Sequence, residues 1–469
     1  MRLTKIKIFN YRCFDEMEIA LDEKLTVLVA PNGSGKTTVL DALRVALWPF
    51  VKGFDLGSQT GKGANIQTSD VRLSRRAGGN MEPEIPSRIE ATGQWNADDT
   101  IRAWTQRRER IKAGTNTLGD TVTRDLGNFA RDMESRARSD SLTEPLPLIS
   151  YLGTSRLWFE GRFTSTAEDV ALSTSDYSRT SGYLNCLSLA SSFKTFTVWY
   201  SWVYRSYREE QIKAIEQDQT LSDIGDRFQT LTLIIKEAVN QLVEGNTGWR
   251  DIEYSSSQNQ NLVMTHPDFG TLPVDQLSDG LRNTIAMVAD LAFRAAKLNP
   301  HLGRNCLRDT PGVVLIDEVD MFLHPTWQQT ILASLQRVFE NVQFVVSTHS
   351  PQVLTTVGQR NIRLLGRNAD GHWTAAQPDQ EVKGVESAMA LNETMKVNPI
   401  PPVEEATWLT EYNDKIEAGT HEDERGRELH SRLLDLYGPT HPLMLTIERL
   451  VRFQAFKLKA KAPKLGAQA

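Results

Sequence analysis

An α/β architecture, split by a helical insertion and followed by a helical extension, is predicted by three features of this sequence. The apolar run Leu25 to Val29 passes directly into a glycine-rich turn and then into helical spacing from Thr37 to Leu47. Strand and helix signals alternate again from Asp251 to Arg363, the rhythm of a parallel sheet with helices on its faces. Between these halves, Ser191 to Val243 carries Phe193, Phe196, Trp199, Tyr200, Val203 and Tyr207 at three- and four-residue spacing, the stripe of a core helix.

The remaining elements follow in order. Leu3 to Phe9 and Met17 to Leu21 read as strands, and Val51 to Asn80, rich in Gly, Ser, Thr, Asn and Gln, as a long loop. Arg88 to Trp95 and Ile101 to Arg107 form an expected antiparallel pair joined by a turn at Asn96 to Asp99. A polar, arginine-containing stretch runs on to Ser141, and Leu148 to Tyr151 is another strand. After Lys383 the chain reads as helical, with Pro399, Pro401 and Pro402 marking a break.

Composition bounds the function. With 469 residues, 40% apolar and 24% charged, the chain can bury a large core without disulfides or metals. No apolar run approaches the roughly 20 residues that span a bilayer. The start of the chain alternates like a strand rather than a secretory signal, and Cys13, Cys186 and Cys306 lie far apart, so a cytoplasmic location is expected. A net charge of -6 argues against coating nucleic acid with the whole surface, and leaves local basic patches open.

Ala30-Pro31-Asn32-Gly33-Ser34-Gly35-Lys36-Thr37 matches the phosphate-loop pattern GxxxxGK[ST], with alanine in place of the first glycine. Backbone N–H groups from Asn32 through Thr38 and the helix N-terminus would surround phosphates, Lys36 would reach the β- and γ-phosphates, and the Thr37 hydroxyl would ligate Mg²⁺. Thr38 adds a hydroxyl near the α-phosphate. Ala30 is tolerable if its backbone is strand-like.

Far downstream, Gly312 to Ile316 is an apolar strand ending in Asp317 and Glu318. This arrangement presents two acids at the C-terminal edge of a parallel sheet. Asp317 would hold the Mg²⁺ shell and Glu318 would orient or deprotonate an attacking water. Phe344 to Ser347 is a second such strand, with His349 at its exit.

Leu277-Ser278-Asp279-Gly280-Leu281-Arg282 resembles the LSGGQ signature of ABC ATPases, with Asp at the second glycine, and opens an amphipathic helix suited to an anion. The set together resembles ABC-type ATPase heads of the RecF and SMC group. The implied fold class is an α/β ABC-type P-loop ATPase head with a mixed sheet, a helical lid insertion and a helical C-terminal extension. The implied division is an N-terminal ATPase lobe 1–156, a lid 157–247, a C-terminal lobe 248–382, and a partner-binding or oligomerising region 383–469.

The resemblance also assigns roles. Asn10 to Phe14 is similar to an element whose arginine, here Arg12, lies near bound nucleotide. His349 takes the place of the switch histidine at the γ-phosphate, and Ser278 with Gly280 would contact ATP held by a second subunit, giving a homo-oligomer of ATP-sandwiched dimers. Leu323-His324-Pro325 resembles OLD-like defence ATPases. The segments Ser150 to Arg156 and Met395 to Pro402 resemble the PtuA family of Septu anti-phage ATPases and their retron-associated relatives, which implies a separate HNH nuclease partner.

Neither the strand-end glutamate nor the later Asp-x-Asp cluster of a Toprim nuclease follows His349. His421 to Glu424 with His430 lacks HExxH spacing and reads as a charged helix face. Two basic clusters, Arg102, Arg107, Arg108, Arg110 and Lys112, and Arg449, Arg452, Lys457, Lys459, Lys461 and Lys464, read as solvated surface or as DNA contacts. A RecF- or SMC-like DNA clamp without a nuclease partner is the alternative function, and a transporter subunit would need a membrane partner.

Overall fold

The computed structural model describes residues 1–58, 64–95, 100–112, 117–139, 144–154, 178–188, 193–216, 227–258 and 260–461. The chain divides into two compact units, Met1–Met395 and Lys396–Ala469.

The first unit is built on a six-stranded sheet in the order Trp373–Ala376, Ile362–Arg367, Leu25–Val29, Val342–Ser347, Gly312–Ile316, Leu148–Leu152. Five strands are parallel, and Trp373–Ala376 closes one edge antiparallel. Four of the parallel strands, from Leu25, Leu148, Gly312 and Val342, are buried throughout, as near-continuous Val, Ile and Leu runs require when helices cover both faces. The register pairs Ile316 with Leu152 and Val346, and Ser347 with Leu28. Chain exits at residues 29–30, 152–153, 316–317 and 347–348 therefore share one edge.

A second, antiparallel sheet runs in the order Phe14–Ala20, Arg2–Tyr11, Ser87–Gln94, Arg102–Arg108, Leu118–Gly119. The expected hairpin at 88–107 is thus present, and its turn at 96–99 lies outside the described residues.

Four expectations change. The helix after the phosphate loop extends through Lys52 with Pro49 inside it. Proline removes the N–H that would bond the Val45 carbonyl, and Gln106 of the antiparallel sheet donates its side-chain amide to that carbonyl instead. Trp104 Nε1 does likewise for Ala46 at 2.9 Å. The expected loop from Val51 to Asn80 also contains a helical turn at Asp55–Ser58, a 3-10 turn at Thr68–Asp70 and the hairpin Leu73–Arg75 with Met81–Pro83. Phe54 and Ile66 anchor it in the core.

The polar stretch before Ser141 holds the helix Thr121–Ala137, capped by Asp120, whose carboxylate accepts from Thr123 N at 2.7 Å. Leu126, Ala130 and Met133, spaced four and three residues apart, form its buried face. Residues 250–273 form an antiparallel meander, Arg250–Ser255, Asn261–His266 and Gly270–Pro273, apart from the parallel sheet. Its links are too short for the crossover that parallel strands need. The long helical stretch consists of Phe193–Glu216 and Arg227–Thr247, with 217–226 and the 157–177 part of the insertion outside the described residues. Its aromatic stripe is core: Trp199 packs 4.7 Å from Phe293, and Tyr200 Oη donates to the Ile252 carbonyl at 2.9 Å.

The second unit packs helices Glu404–Ala418, Glu424–Tyr437 and Pro442–Lys461 around Tyr412, Ile416, Leu429, Leu433, Met444 and Ile447. Among the described residues, no helix is long and apolar enough to cross a membrane.

In the helix Asp279–Leu298, buried Arg294 bonds Asp290 at 2.9 Å and the carbonyls of Gly182 and Leu184 at 2.7 and 3.0 Å. Arg294→Leu leaves Asp290 buried without this cation, so a loss of about 3–5 kcal/mol is expected, read as a lowered melting temperature.

Candidate functional site

The turn after Val29 depends on two left-handed glycines, Gly33 at φ 79° and Gly35 at φ 91°. Among the described residues, the non-glycine positions with positive φ do not include Ala30, so the alanine carries no left-handed strain. Gly35 is needed twice over: a Cβ there would lie 2.4 Å from Phe14 Cζ and 2.9 Å from Cys13 Sγ. The turn leads into the N-terminus of Lys36–Lys52, whose first turn contains no acid. Amide donors and helix dipole together suit an anion at this point.

Lys36 is buried and its Nζ donates to the Ala30 carbonyl at 2.8 Å and to Pro31 O at 3.4 Å. Burial pushes its pKa down, and the charges of Asp317, Glu318 and Asp320 oppose that shift. The ammonium therefore lies across the loop's own carbonyls with three carboxylates nearby, in position to exchange carbonyl partners for phosphate oxygens.

Asp317 joins four segments. Thr37 Oγ1 donates to its Oδ2 at 2.7 Å, Ser347 Oγ donates to its Oδ1, and its own N–H donates to Leu152 O at 2.9 Å. Ser347 Oγ also accepts from Glu318 N at 2.8 Å. Glu318, half-buried, sits at φ 48°, a conformation that costs a non-glycine residue about 1–3 kcal/mol and persists only where its surroundings impose it. His349 emerges half-buried two residues beyond Ser347, while Thr348 Oγ1 donates to Asp320 Oδ1 at 2.5 Å. The phosphate loop, acidic pair and histidine strand thus meet at one sheet edge. The Thr37 hydroxyl and Asp317 carboxylate form an adjacent pair of hard oxygens that fits Mg²⁺.

Arg12 is placed by the turn between Arg2–Tyr11 and Phe14–Ala20, at φ 50°. Its guanidinium bonds Asp41 Oδ2 at 2.5 Å and Asp70 Oδ1 at 2.9 Å, and its N–H donates to Asp70 O at 2.6 Å. Asp41 lies one turn beyond Thr37 on the same helix. Arg12 is therefore locked to the phosphate-loop helix by carboxylates that sequence spacing did not single out. Thr38, next to Thr37 in the first turn of the same helix, is buried. Asn32, Gly33 and Thr37 are exposed, and Ser34 is half-buried.

Ser278 lies exposed at the start of Asp279–Leu298, and its hydroxyl does not cap that helix. Gly280 is buried, and a Cβ there would stand 2.4 Å from the Phe322 carbonyl, so only glycine allows this approach. The signature-like segment packs against the loop that follows Glu318 while presenting Ser278 outward.

The other candidates have local roles. Asp423 caps Glu424–Tyr437 through Gly426 N at 2.6 Å and pairs with Lys415, and the His430 ring lies 5.6 Å from that of Tyr412. Among the described residues, no group of three or more His, Cys, Asp or Glu is placed to hold a metal ion. Arg108 is buried and donates to Ile66 O at 3.0 Å, and Arg107 pairs with Glu109, which divides the first basic cluster. Arg449, Arg452 and Lys457 are exposed, and the side chains of the remaining tail lysines lie outside the described residues.

Comparison with known proteins finds ATPase-named relatives along most of the chain. Residues 132–355 match a family model described as an AAA domain of AbiEii toxin and Type IV TA system type, and residues 1–54 match an AAA ATPase domain. The chain is 26% identical to the Retron Ec83 probable ATPase of Escherichia coli, over 96% of this chain and 86% of that protein. It is also 26% identical to the Retron Vc95 probable ATPase of Vibrio cholerae, over 92% of this chain and 86% of the relative. The Septu protein PtuA of Bacillus mycoides matches at 31% over 25% of this chain and 16% of its own length. A solved SMC head bound to the winged-helix domain of ScpA covers 80% of this chain and 98% of its own, at 12% identity and a TM-score of 0.45. The likeness to retron-associated ATPases therefore extends along most of the chain, and the fold is that of an α/β P-loop ATPase.

The two glycines of the loop separate two physical costs. Gly33→Ala meets open space and is expected to lose about 1–2 kcal/mol for its left-handed backbone alone. Gly35→Ala must also displace the Phe14 ring, so its melting temperature is expected to fall further than that of Gly33→Ala.

Proposed function

We propose that this chain binds and hydrolyses ATP with Mg²⁺, pairs with a second copy through its nucleotide sites, and controls a separate HNH nuclease in an anti-phage defence complex. The observation that carries the catalytic part is the convergence of Thr37, Ser347 and the Leu152 carbonyl on Asp317, with the same Ser347 hydroxyl accepting from the Glu318 amide. The defence setting is supported by the likeness to retron-associated ATPases.

In this reading the amides of residues 32–38 and Lys36 hold the triphosphate, with Thr37 and Asp317 at the metal. Bound Mg²⁺ supplies charge neutralisation to the β- and γ-phosphates. Glu318 accepts a proton from water as its oxygen attacks the γ-phosphorus. The bond from that phosphorus to the bridging oxygen breaks, and ADP carries the electron pair away. His349 steadies the γ-phosphate and the attacking water. Arg12 braces the nucleotide side of the loop through Asp41. Ser278, with the helix N-terminus and the close-packed Gly280 behind it, faces a partner's ATP.

A DNA clamp without a nuclease is the second reading, supported by exposed Arg449, Arg452 and Lys457 on one helix. DNA binding that weakens steeply with salt, DNA-stimulated hydrolysis and no nuclease in the native complex would favour it. Co-purification of an HNH protein at a native mass above that of the homo-oligomer favours the first.

Lys36→Ala is expected to abolish nucleotide binding, measured with a fluorescent ATP analogue. Glu318→Gln is expected to keep ATP affinity, lower turnover by about 10²-fold or more, and accumulate an ATP-dependent dimer in size-exclusion chromatography. Hydrolysis by Glu318→Gln at the original rate would remove Glu318 from the mechanism.

A further inference from the structure

The loop that carries Glu318 is not held by the sheet alone. Two of its residues adopt left-handed backbone, Glu318 at φ 48° and Phe322 at φ 64°. Tight turns close it, Met321 N to Glu318 O at 3.0 Å and Leu323 N to Asp320 O at 3.1 Å. Such a loop does not keep its shape unless its surroundings impose it. On the sheet side, Ser347 and Thr348 supply that restraint through Asp317, the Glu318 amide and Asp320.

On the opposite side stands the helix Asp279–Leu298. Gly280 lets its first turn touch the Phe322 carbonyl. One turn along, Asn283, 1% exposed, donates its side-chain amide to the Met321 carbonyl at 3.0 Å. A buried asparagine in an amphipathic helix is costly unless its amide is used. Here the amide ties the helix that presents Ser278 to the loop that presents Glu318.

We infer that Asn283 is a positioning residue for hydrolysis: its amide holds the Met321 carbonyl so that the strained loop directs Glu318 at the attacking water, and it joins the Ser278 helix rigidly to that carboxylate. This rests on the ATPase reading above. The role is mechanical, because Asn283 touches the loop backbone and Glu318 makes the chemical contact. Displacements of about 1 Å at a reacting group can cost 10²-fold in rate, which is the scale available to a single misplaced loop.

The test is Asn283→Leu, which keeps the branched shape and removes the donor, measured in the full-length protein beside the unmodified chain and Glu318→Gln. The expected result is a kcat lowered about 10- to 100-fold, with the dissociation constant for Mg-ATP within about twofold of the original, since the phosphate loop is untouched. Asn283→Gln, which retains an amide donor on a longer arm, should recover part of the loss. If the leucine variant gives no folded protein by its melting profile, Asn283→Ser, too short to span the gap, takes its place. A kcat within twofold of the original, or ATP affinity falling in step with kcat, overturns the positioning role while leaving the ATPase reading intact. Absence of hydrolysis by the unmodified chain, or an unimpaired Glu318→Gln, overturns that reading instead.

Discussion

The buried carboxylate of Asp317 is the constraint on which the site depends. It is 1% exposed at the end of an apolar strand, where an uncompensated charge would be prohibitively costly. Hydroxyls from Thr37 and Ser347 converge on it, and each comes from a different strand exit. Satisfying this one group therefore aligns the phosphate loop with the histidine strand. The parallel register that stacks Ile316 beside Leu152 and Val346 makes the convergence possible, because a one-residue slip would turn each exit away.

Much of this was legible in sequence because the parallel core announces itself through short, largely apolar runs that end in polar residues. Leu25 to Val29, Gly312 to Ile316 and Val342 to Ser347 are such runs, and the residues just past them make up the candidate site. The left-handed positions at Gly33 and Gly35 were implied by residue type. Partners that do not announce themselves were missed. Ser347 and Thr348 look like ordinary strand-end polar residues, and Asp41 and Asp70 lie 29 and 58 positions from the arginine they hold.

The same limit explains the fold corrections. Gln343 interrupts an apolar strand and looks like a blemish, yet its amide exchanges bonds with both the N–H and the carbonyl of Leu3, at 2.8 and 2.6 Å, and also donates to Asp22 O at 2.8 Å. It joins the two sheets across 340 residues of sequence. Pro49 disfavours a continuing helix, and the helix continues because Gln106 from the other sheet satisfies the carbonyl that proline abandons. In both places tertiary hydrogen bonding, which a single sequence does not display, overrides local propensity.

One asymmetry of the site bears on how it works. Asp317 and Lys36 are buried, whereas Asn32, Gly33 and Thr37 on the phosphate loop are exposed. Electrostatic stabilisation of a phosphoryl transition state is strongest where water is excluded and donors are fixed in advance, so a half-open loop is an incomplete catalyst. In the proposed function the matching half is Ser278, an exposed hydroxyl at the start of a 20-residue helix whose second turn is pinned by Asn283. A helix N-terminus offers amides and positive potential to an anion, the chemistry an exposed γ-phosphate lacks. Pairing of two copies would bring each half-site its complement, and the rigid link from Ser278 to the Glu318 loop would make occupancy of one site felt at the other.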